Sequence, residues 1–256
     1  MHGTKEFNIL LLRGLGRTSA HWLDFPNHLK DNLDIVNEVK CIDLPGFGHE
    51  SDASSPITIK GITDFVLSRF ELFPTNKNWI TISVSLGGMV NMHWLSDTEK
   101  STLIKGSIII NSSSSDIANP FERASIKSLS KIVRAGISTD NYVKEKHIAS
   151  FVNHQCPDEE TLRRLAQVNE KFPIGIPAFL KQLIAASKFK SPRYLYRPTM
   201  FVNSKNDVMV NPVCSERLAK KFDCQLETHP SAGHDLPIED PTWLVERVGK
   251  FLRNLN

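Results

Sequence analysis

An α/β fold on a mostly parallel sheet of about six strands is predicted by three observations. Short apolar runs alternate along the chain with segments of helical period, the pattern of successive βα units. One interval of about ninety residues breaks this rhythm with helical periodicity only, and strands resume after it. The chain of 256 residues, 40% hydrophobic and 23% charged, has the composition of an ordinary folded protein and the size of one large domain or one domain with an insertion.

In chain order, Phe7–Leu12, Val36–Ile42, Trp79–Ser83, Gly106–Ile110, Thr199–Asn203 and Gln225–His229 read as strands. Helices are predicted near Thr18–Asn32, Thr58–Phe73, Leu86–Ser96, Pro212–Phe222 and Pro241–Leu255. The last has Asp240 as N-cap and Pro241 at the favoured first position. In the strandless interval, Leu129/Ile132/Val133, Ile148/Phe151/Val152, Leu162/Leu165/Val168 and Phe179/Leu183/Ile184 recur at helical spacing, punctuated by Pro157, Pro173, Pro177 and Pro192. The expected organisation is a core of residues 1–111 and 198–256 with a helical cap inserted at 112–197.

With 31 basic and 28 acidic residues the net charge is +3, too balanced for a dedicated nucleic-acid binder. The charge is uneven. Residues 112–197 hold 14 Lys/Arg against 8 Asp/Glu, a net of +6 that leaves −3 elsewhere. Such a cap is expected either to present ordinary solvated helix faces or to favour an anionic substrate or an acidic acyl carrier protein. No apolar run reaches the roughly 20 residues of a membrane span, and Met1–Glu6 holds no apolar stretch of a secretory signal. The expected location is the cytoplasm. Cys41, Cys156, Cys214 and Cys224 form no CxxC pair, which argues against a disulfide framework. His147, His154 and Cys156 lie close in sequence without a further obvious ligand, so neither metal nor cofactor is expected.

The chemistry centres on Trp79-Ile-Thr-Ile-Ser83-Val-Ser85-Leu86-Gly87-Gly88. A strand runs into a serine with small residues at −2 and +2, and a helix follows at once. This arrangement lets a turn tighten enough to lift the serine hydroxyl clear of the sheet at a helix N-terminus, whose dipole favours developing negative charge. Three further segments accompany it in order: Leu12-Arg13-Gly14-Leu15-Gly16 after the first strand, Asp43-Leu44-Pro45-Gly46-Phe47-Gly48-His49 after the second, and Asn203-Ser204-Lys205-Asn206-Asp207 after the fifth. Ser231-Ala232-Gly233-His234-Asp235 then precedes the last helix.

With the serine turn and these four accompanying segments in order, the sequence resembles the α/β-hydrolase superfamily, in the small serine esterase branch that includes the pimeloyl-carrier-protein methyl ester esterases. The order Ser…Asp…His is the one expected of that fold. The resemblance implies Ser85 as nucleophile, His234 as general base, Asp207 as the acid that orients it, and the backbone N–H groups of Leu15 and Leu86 as oxyanion hole. Gly14 would keep its loop close to the substrate oxygen. Three features depart from the family. Ser83 replaces the usual glycine at −2, Arg13-Gly14 replaces His-Gly, and six residues before Phe7 cannot supply the family's two leading antiparallel strands. Arg13 is read either as a contact for a substrate carboxylate or as half of a structural salt bridge.

Ser83 competes with Ser85 only if the turn shifts, and Ser85 then occupies +2 where glycine is needed. Asp207 is preferred to Asp223 and Asp235 because it follows a strand and precedes a Val-x-Pro turn; Asp43 reads as structural, as do His49 and His93, and His21 and His28 as part of the first helix face. Gly14-x-Gly16 is too short for a phosphate loop. The expected activity is hydrolysis of a small-molecule carboxylic ester through an acyl-enzyme. The alternatives are a lyase or C–C hydrolase acting on an anionic substrate, and a non-catalytic ligand-binding relative.

Overall fold

The computed structural model describes residues 6–74, 78–123 and 138–255. Six strands, β1 (Phe7–Leu12), β2 (Val36–Ile42), β3 (Asn78–Val84), β4 (Gly106–Ile110), β5 (Thr199–Ser204) and β6 (Gln225–His229), pair in parallel throughout. Their order is β2-β1-β3-β4-β5-β6. The chain therefore starts in the interior of the sheet, moves to one edge, and returns past β1 to build outward on the other side. The reversal falls between β1 and β3, and in an open α/β sheet the crevice at the strand C-termini beside such a reversal is where ligands bind. The loops after β1 and β3 open into that crevice. The described residues add no antiparallel strand outside β2, so the sheet is trimmed at that edge as expected.

Both sheet faces are covered, which is why the central strands are mostly apolar on both faces and their polar residues, such as Asn8, Thr81, Ser83 and Ser107, are buried. Ile9 and Leu11 of β1 point with Ile80, Ile82 and Ile108 toward α1 (Phe25–Asn32) on one side, and the opposite residues Leu10 and Leu12 pack with α2 (Ile59–Phe70) and α3 (Leu86–Leu95) on the other.

The predicted first helix is shorter than expected. Ser19–Trp22 form a single 3₁₀ turn, Leu23 turns the chain at φ 46°, and α1 begins at Phe25 with Pro26 in its first turn. Proline removes a backbone donor and clashes one turn back, so it is tolerated at a helix start and not inside a helix running from Thr18. The second helix likewise closes at Phe70 rather than Phe73, ahead of Pro74.

Between β4 and β5 the described residues contain a short turn of helix, α4 (Pro120–Arg123), and three full helices: α5 (Asn141–Val152), α6 (Glu159–Lys171) and α7 (Ile176–Lys188). Asp140 and Asp158 cap α5 and α6 by accepting from backbone N–H groups of their first turns. The helix predicted around Leu129, Ile132 and Val133 lies outside the described residues. This helical layer sits on the strand-end loops. Ala178 of α7 packs so close to Gly46 that a Cβ there would lie 2.5 Å away, and the buried Gln182 donates from Nε2 to the Pro45 carbonyl at 3.1 Å. The chain closes with α8 (Val213–Phe222), α9 (Leu236–Glu239) and α10 (Pro241–Arg253), the last capped by Asp240 accepting from Trp243 N–H. Helix α10 covers the same sheet face as α1, and α8 the face of α2 and α3. Among the described residues no helix is long and apolar enough to cross a membrane.

Leu11 is fully enclosed between β1's neighbours and the helices on its face, whereas Leu72 is 77% exposed. Leu11→Ala is expected to lower unfolding stability by about 2–5 kcal/mol, and Leu72→Ala by less than about 0.5 kcal/mol, measured as urea midpoints of the two variants.

Candidate active site

The turn from β3 into α3 is the most constrained backbone in the crevice. Ser85 adopts φ 56° and ψ −117°, a conformation side chains rarely accept, and donates its N–H to the Ile110 carbonyl at 2.8 Å. Its own carbonyl accepts from Gly88 N–H at 2.9 Å and from the Ser112 hydroxyl at 2.8 Å. Two glycines make this turn feasible. A Cβ on Gly87 would meet the carbonyl oxygens of Leu12 and Arg13 at 2.7 Å, and one on Gly14 would meet Ser85 Cβ at 3.0 Å. The loop after β1 and the turn after β3 are therefore in backbone contact, possible only because neither carries a side chain there. Leu15 directly follows Gly14 and Leu86 directly follows Ser85, and neither backbone N–H has an acceptor among the described residues. Leu86 is the first residue of α3, where a backbone donor is left free by helix geometry.

Asp207 stands three residues past β5. Its Oδ1 accepts from the N–H groups of Met209 and Val210 at 2.8 and 2.9 Å, and its Oδ2 lies 2.6 Å from His234 Nδ1. The acid is thus fixed from behind and aligned on one ring nitrogen. Burial on its own disfavours a charged imidazole, but the Asp207 charge and hydrogen bond, with Asp235 beyond, outweigh it and raise the His234 pKa above the ordinary value. Ser85 and His234 open into the same cavity of about 270 Å³, without a hydrogen bond joining them. Such contacts are often long in unliganded enzymes and tighten around a substrate. Leu15, Phe151, Ile174 and Phe179 make most of the remaining wall apolar.

Arg13 is committed elsewhere than to a ligand. Its two terminal nitrogens each donate to an Asp235 oxygen at 2.8 Å, the guanidinium lies over the Trp22 ring at 4.9 Å, and the side chain is 4% exposed. Of the two readings of Arg13, the salt bridge is the one present, and it ties the loop after β1 to the residue beside His234. Burial works to raise the Asp235 pKa, but Arg13 overrides it and holds the carboxyl below its usual range.

Of the competing residues, Asp235 lines the cavity but is held by Arg13, whereas Ser83, Asp43, Asp223 and His21 do not line it. Ser83 is fully buried, its hydroxyl accepting from Asn91 Nδ2 at 3.1 Å and facing the Ile108 carbonyl. Asp43 holds the loop after β2, accepting from Ser19 Oγ at 3.1 Å and from His49 N–H at 2.8 Å. Asp223 ends α8 in a left-handed conformation. His21 lies buried in the 3₁₀ turn, its Nδ1 accepting from Thr18 N–H. Among the described residues no three His, Cys, Asp or Glu side chains converge as metal ligands.

Two features were missed from sequence. Asn111, directly after β4 at φ 49°, donates from Nδ2 to the His234 carbonyl at 2.9 Å and accepts from Ser204 N–H at 3.0 Å, pinning the histidine loop to the end of β5. Its signal was available: asparagine tolerates left-handed backbone, and here it directly follows an Ile-Ile-Ile run. The second is a buried pair in which Arg17 donates to Glu145 of α5 at 2.7 Å, with Asn169 of α6 on the same oxygen. These partners are too distant in sequence for any local signal.

The alpha/beta hydrolase family profile matches residues 9–247, so this chain belongs to that family. The human protein named "Putative protein-lysine deacylase ABHD14B" is 27% identical over 158 residues, covering 60% of this chain and 72% of that protein. Among solved structures, a hydrolase from Pseudomonas aeruginosa PA01 superposes with a TM-score of 0.74 at 16% identity, over 98% of this chain and 92% of the other. A thermophilic esterase from Thermogutta terrifontis gives 0.72 at 17% identity, over 98% and 91%.

If His234 acts as a base it must be neutral, so activity falls as pH drops through its raised pKa, above the ordinary 6.5. Asp207→Asn removes the charge that favours the imidazolium. The acid limb of kcat/KM against pH is expected to move to lower pH, and the plateau to fall about 10³–10⁴-fold.

Proposed function

We propose that this protein is a serine hydrolase that cleaves a carboxylic ester through an acyl-enzyme, with Ser85, His234 and Asp207 as its triad. The observation that carries this reading is the placement of Ser85 on a strained turn in the cavity that His234 also lines, with Asp207 locked on the far nitrogen of the ring. Ser85 Oγ attacks the ester carbonyl carbon while His234 Nε2 takes its proton. The carbonyl oxygen becomes an oxyanion between the free N–H groups of Leu15 and Leu86, a contribution of about 3–4 kcal/mol per donor in comparable sites. His234 returns the proton to the departing alcohol, leaving Ser85 acylated. Water then attacks the acyl carbon by the same route, and Ser85 is released with the carboxylic acid. Asp207 keeps its charge throughout and stabilises the imidazolium.

Esterase titles among the structural neighbours and the deacylase name of the human relative agree with acyl transfer. The ordered motifs support placement near the small serine esterases of the pimeloyl-carrier-protein methyl ester type. A lyase reading drew on Arg13 as an anion contact, and Arg13 is occupied by Asp235. The apolar wall from α5 and α7 favours an acyl chain over a polar one.

Release of p-nitrophenol from acetyl through dodecanoyl esters tests the proposal. Wild type is expected to show turnover with a chain-length optimum set by a cavity of about 270 Å³, and Ser85→Ala to lose at least about 10⁴-fold in kcat. Equal turnover by the variant would overturn the assignment of Ser85.

A further inference from the structure

The wall of the cavity carries three cationic side chains, Arg13, Arg17 and Lys144. Two are neutralised within the fold, Arg13 by Asp235 at 2.8 Å and Arg17 by Glu145 at 2.7 Å. Lys144 is different: it is half-buried, lines the cavity, and forms no ion pair with any described residue. The residues outside the described set contain no aspartate or glutamate, so they offer no side-chain carboxylate to complete a pair. The remaining acid of the wall, Asp235, is held bidentately by Arg13. Among the described residues the cavity therefore keeps one uncompensated positive charge in a mostly apolar lining.

The position of that charge is defined by α5. Lys144, Ile148, Phe151 and Val152 recur at i, i+4, i+7 and i+8 and so share one face of the helix, the face that roofs the cavity. At one end of this row, the Val152 carbonyl accepts the N–H groups of His234 and Asp235, at 2.5 and 3.0 Å. At the other end is Lys144, about 12 Å back along the helix axis at 1.5 Å per residue. The roof thus runs from the catalytic histidine, past isoleucine and phenylalanine, to an ammonium group. A substrate lying beneath it meets apolar surface first and positive charge at the far end.

We infer that Lys144 selects substrates carrying an anionic group, a carboxylate in the simplest case, separated from the scissile ester by an apolar spacer. The inference rests on the proposed site at Ser85 and deepens it by naming the substrate class. An unpaired cation in a low-dielectric wall attracts an anion more strongly than an exposed lysine does, because less of its field is screened by water. The alternative role for such a lysine, covering apolar surface with its stem while its head stays in water, predicts no discrimination between charged and neutral substrates.

The test compares p-nitrophenyl hydrogen adipate with p-nitrophenyl hexanoate, which differ in a terminal carboxylate. A second pair, the acetate ester of ω-hydroxyhexanoate against hexyl acetate, places the charge on the alcohol side. In wild type the charged member of one pair is expected to have a kcat/KM about tenfold higher, as one charge-assisted contact provides. Lys144→Met should bring that ratio to near one, while Lys144→Arg keeps it. Ratios near one in wild type for both pairs, or a ratio unchanged by Lys144→Met, would overturn the inference while leaving the esterase reading intact. If no ester is hydrolysed, the esterase reading fails, and calorimetric binding of adipamate against hexanamide still decides on the lysine. Tighter binding of adipamate that is lost in Lys144→Met supports it, and equal binding overturns it.

Discussion

The backbone contact between the turn after β1 and the turn after β3 is the constraint on which the rest of the site depends. Gly87 sits against the carbonyl oxygens of Leu12 and Arg13 at a distance that leaves no room for a side chain, and Gly14 sits tightly against Ser85 Cβ. Pressed together in this way, the two turns leave Ser85 in a left-handed conformation that costs on the order of 1–3 kcal/mol. The parallel pairing of β1 with β3 along six residues and the packing of α3 hold it there. The same contact brings the loop that carries Leu15 against the turn that carries Leu86, the two residues proposed to supply the oxyanion hole. Strain, small residues and free donors are one arrangement seen from three sides.

Charge fixes what the backbone contact leaves loose. Arg13 joins the first loop to the histidine loop through Asp235, and Arg17 joins it to the helices above through Glu145 and Asn169. Removing one partner from such a buried pair strands a charge and costs about 3–5 kcal/mol, so these contacts specify relative position more than they add stability. Asn111 performs the neutral version of this task, connecting the ends of β4 and β5 to the His234 carbonyl. The mechanism requires loops from distant parts of the chain to keep fixed spacing, and these buried polar links run between those loops.

Much of this was legible in the sequence because it is encoded locally. The six strands were marked to within a residue, the central ones because burial on both faces leaves them few polar positions. The serine turn announced itself through Ser83, Ser85 and Gly87, because a tight strand-to-helix turn dictates small neighbours. The first helix was overextended because helical periodicity continues through Leu23 and Asp24, while Pro26 restarts the hydrogen bonding. What local pattern cannot carry is pairing across the fold. Arg13 and Asp235 are separated by 222 positions, and only tertiary structure reveals that the arginine is spent on the aspartate rather than free for a substrate. Lys144 gained its meaning the same way, because Arg13, Arg17 and Asp235 in the wall have partners and Lys144 has no ion pair among the described residues.

The central claim is that Ser85 is an activated nucleophile, and the most direct measurement is intact and peptide mass spectrometry after exposure to a fluorophosphonate, which modifies serines only where a base activates them. The account predicts one adduct per chain, on the peptide containing Ser85, with labelling that falls away at acid pH as His234 becomes protonated. An adduct on a different residue, or no adduct on the folded protein at neutral pH, would contradict it.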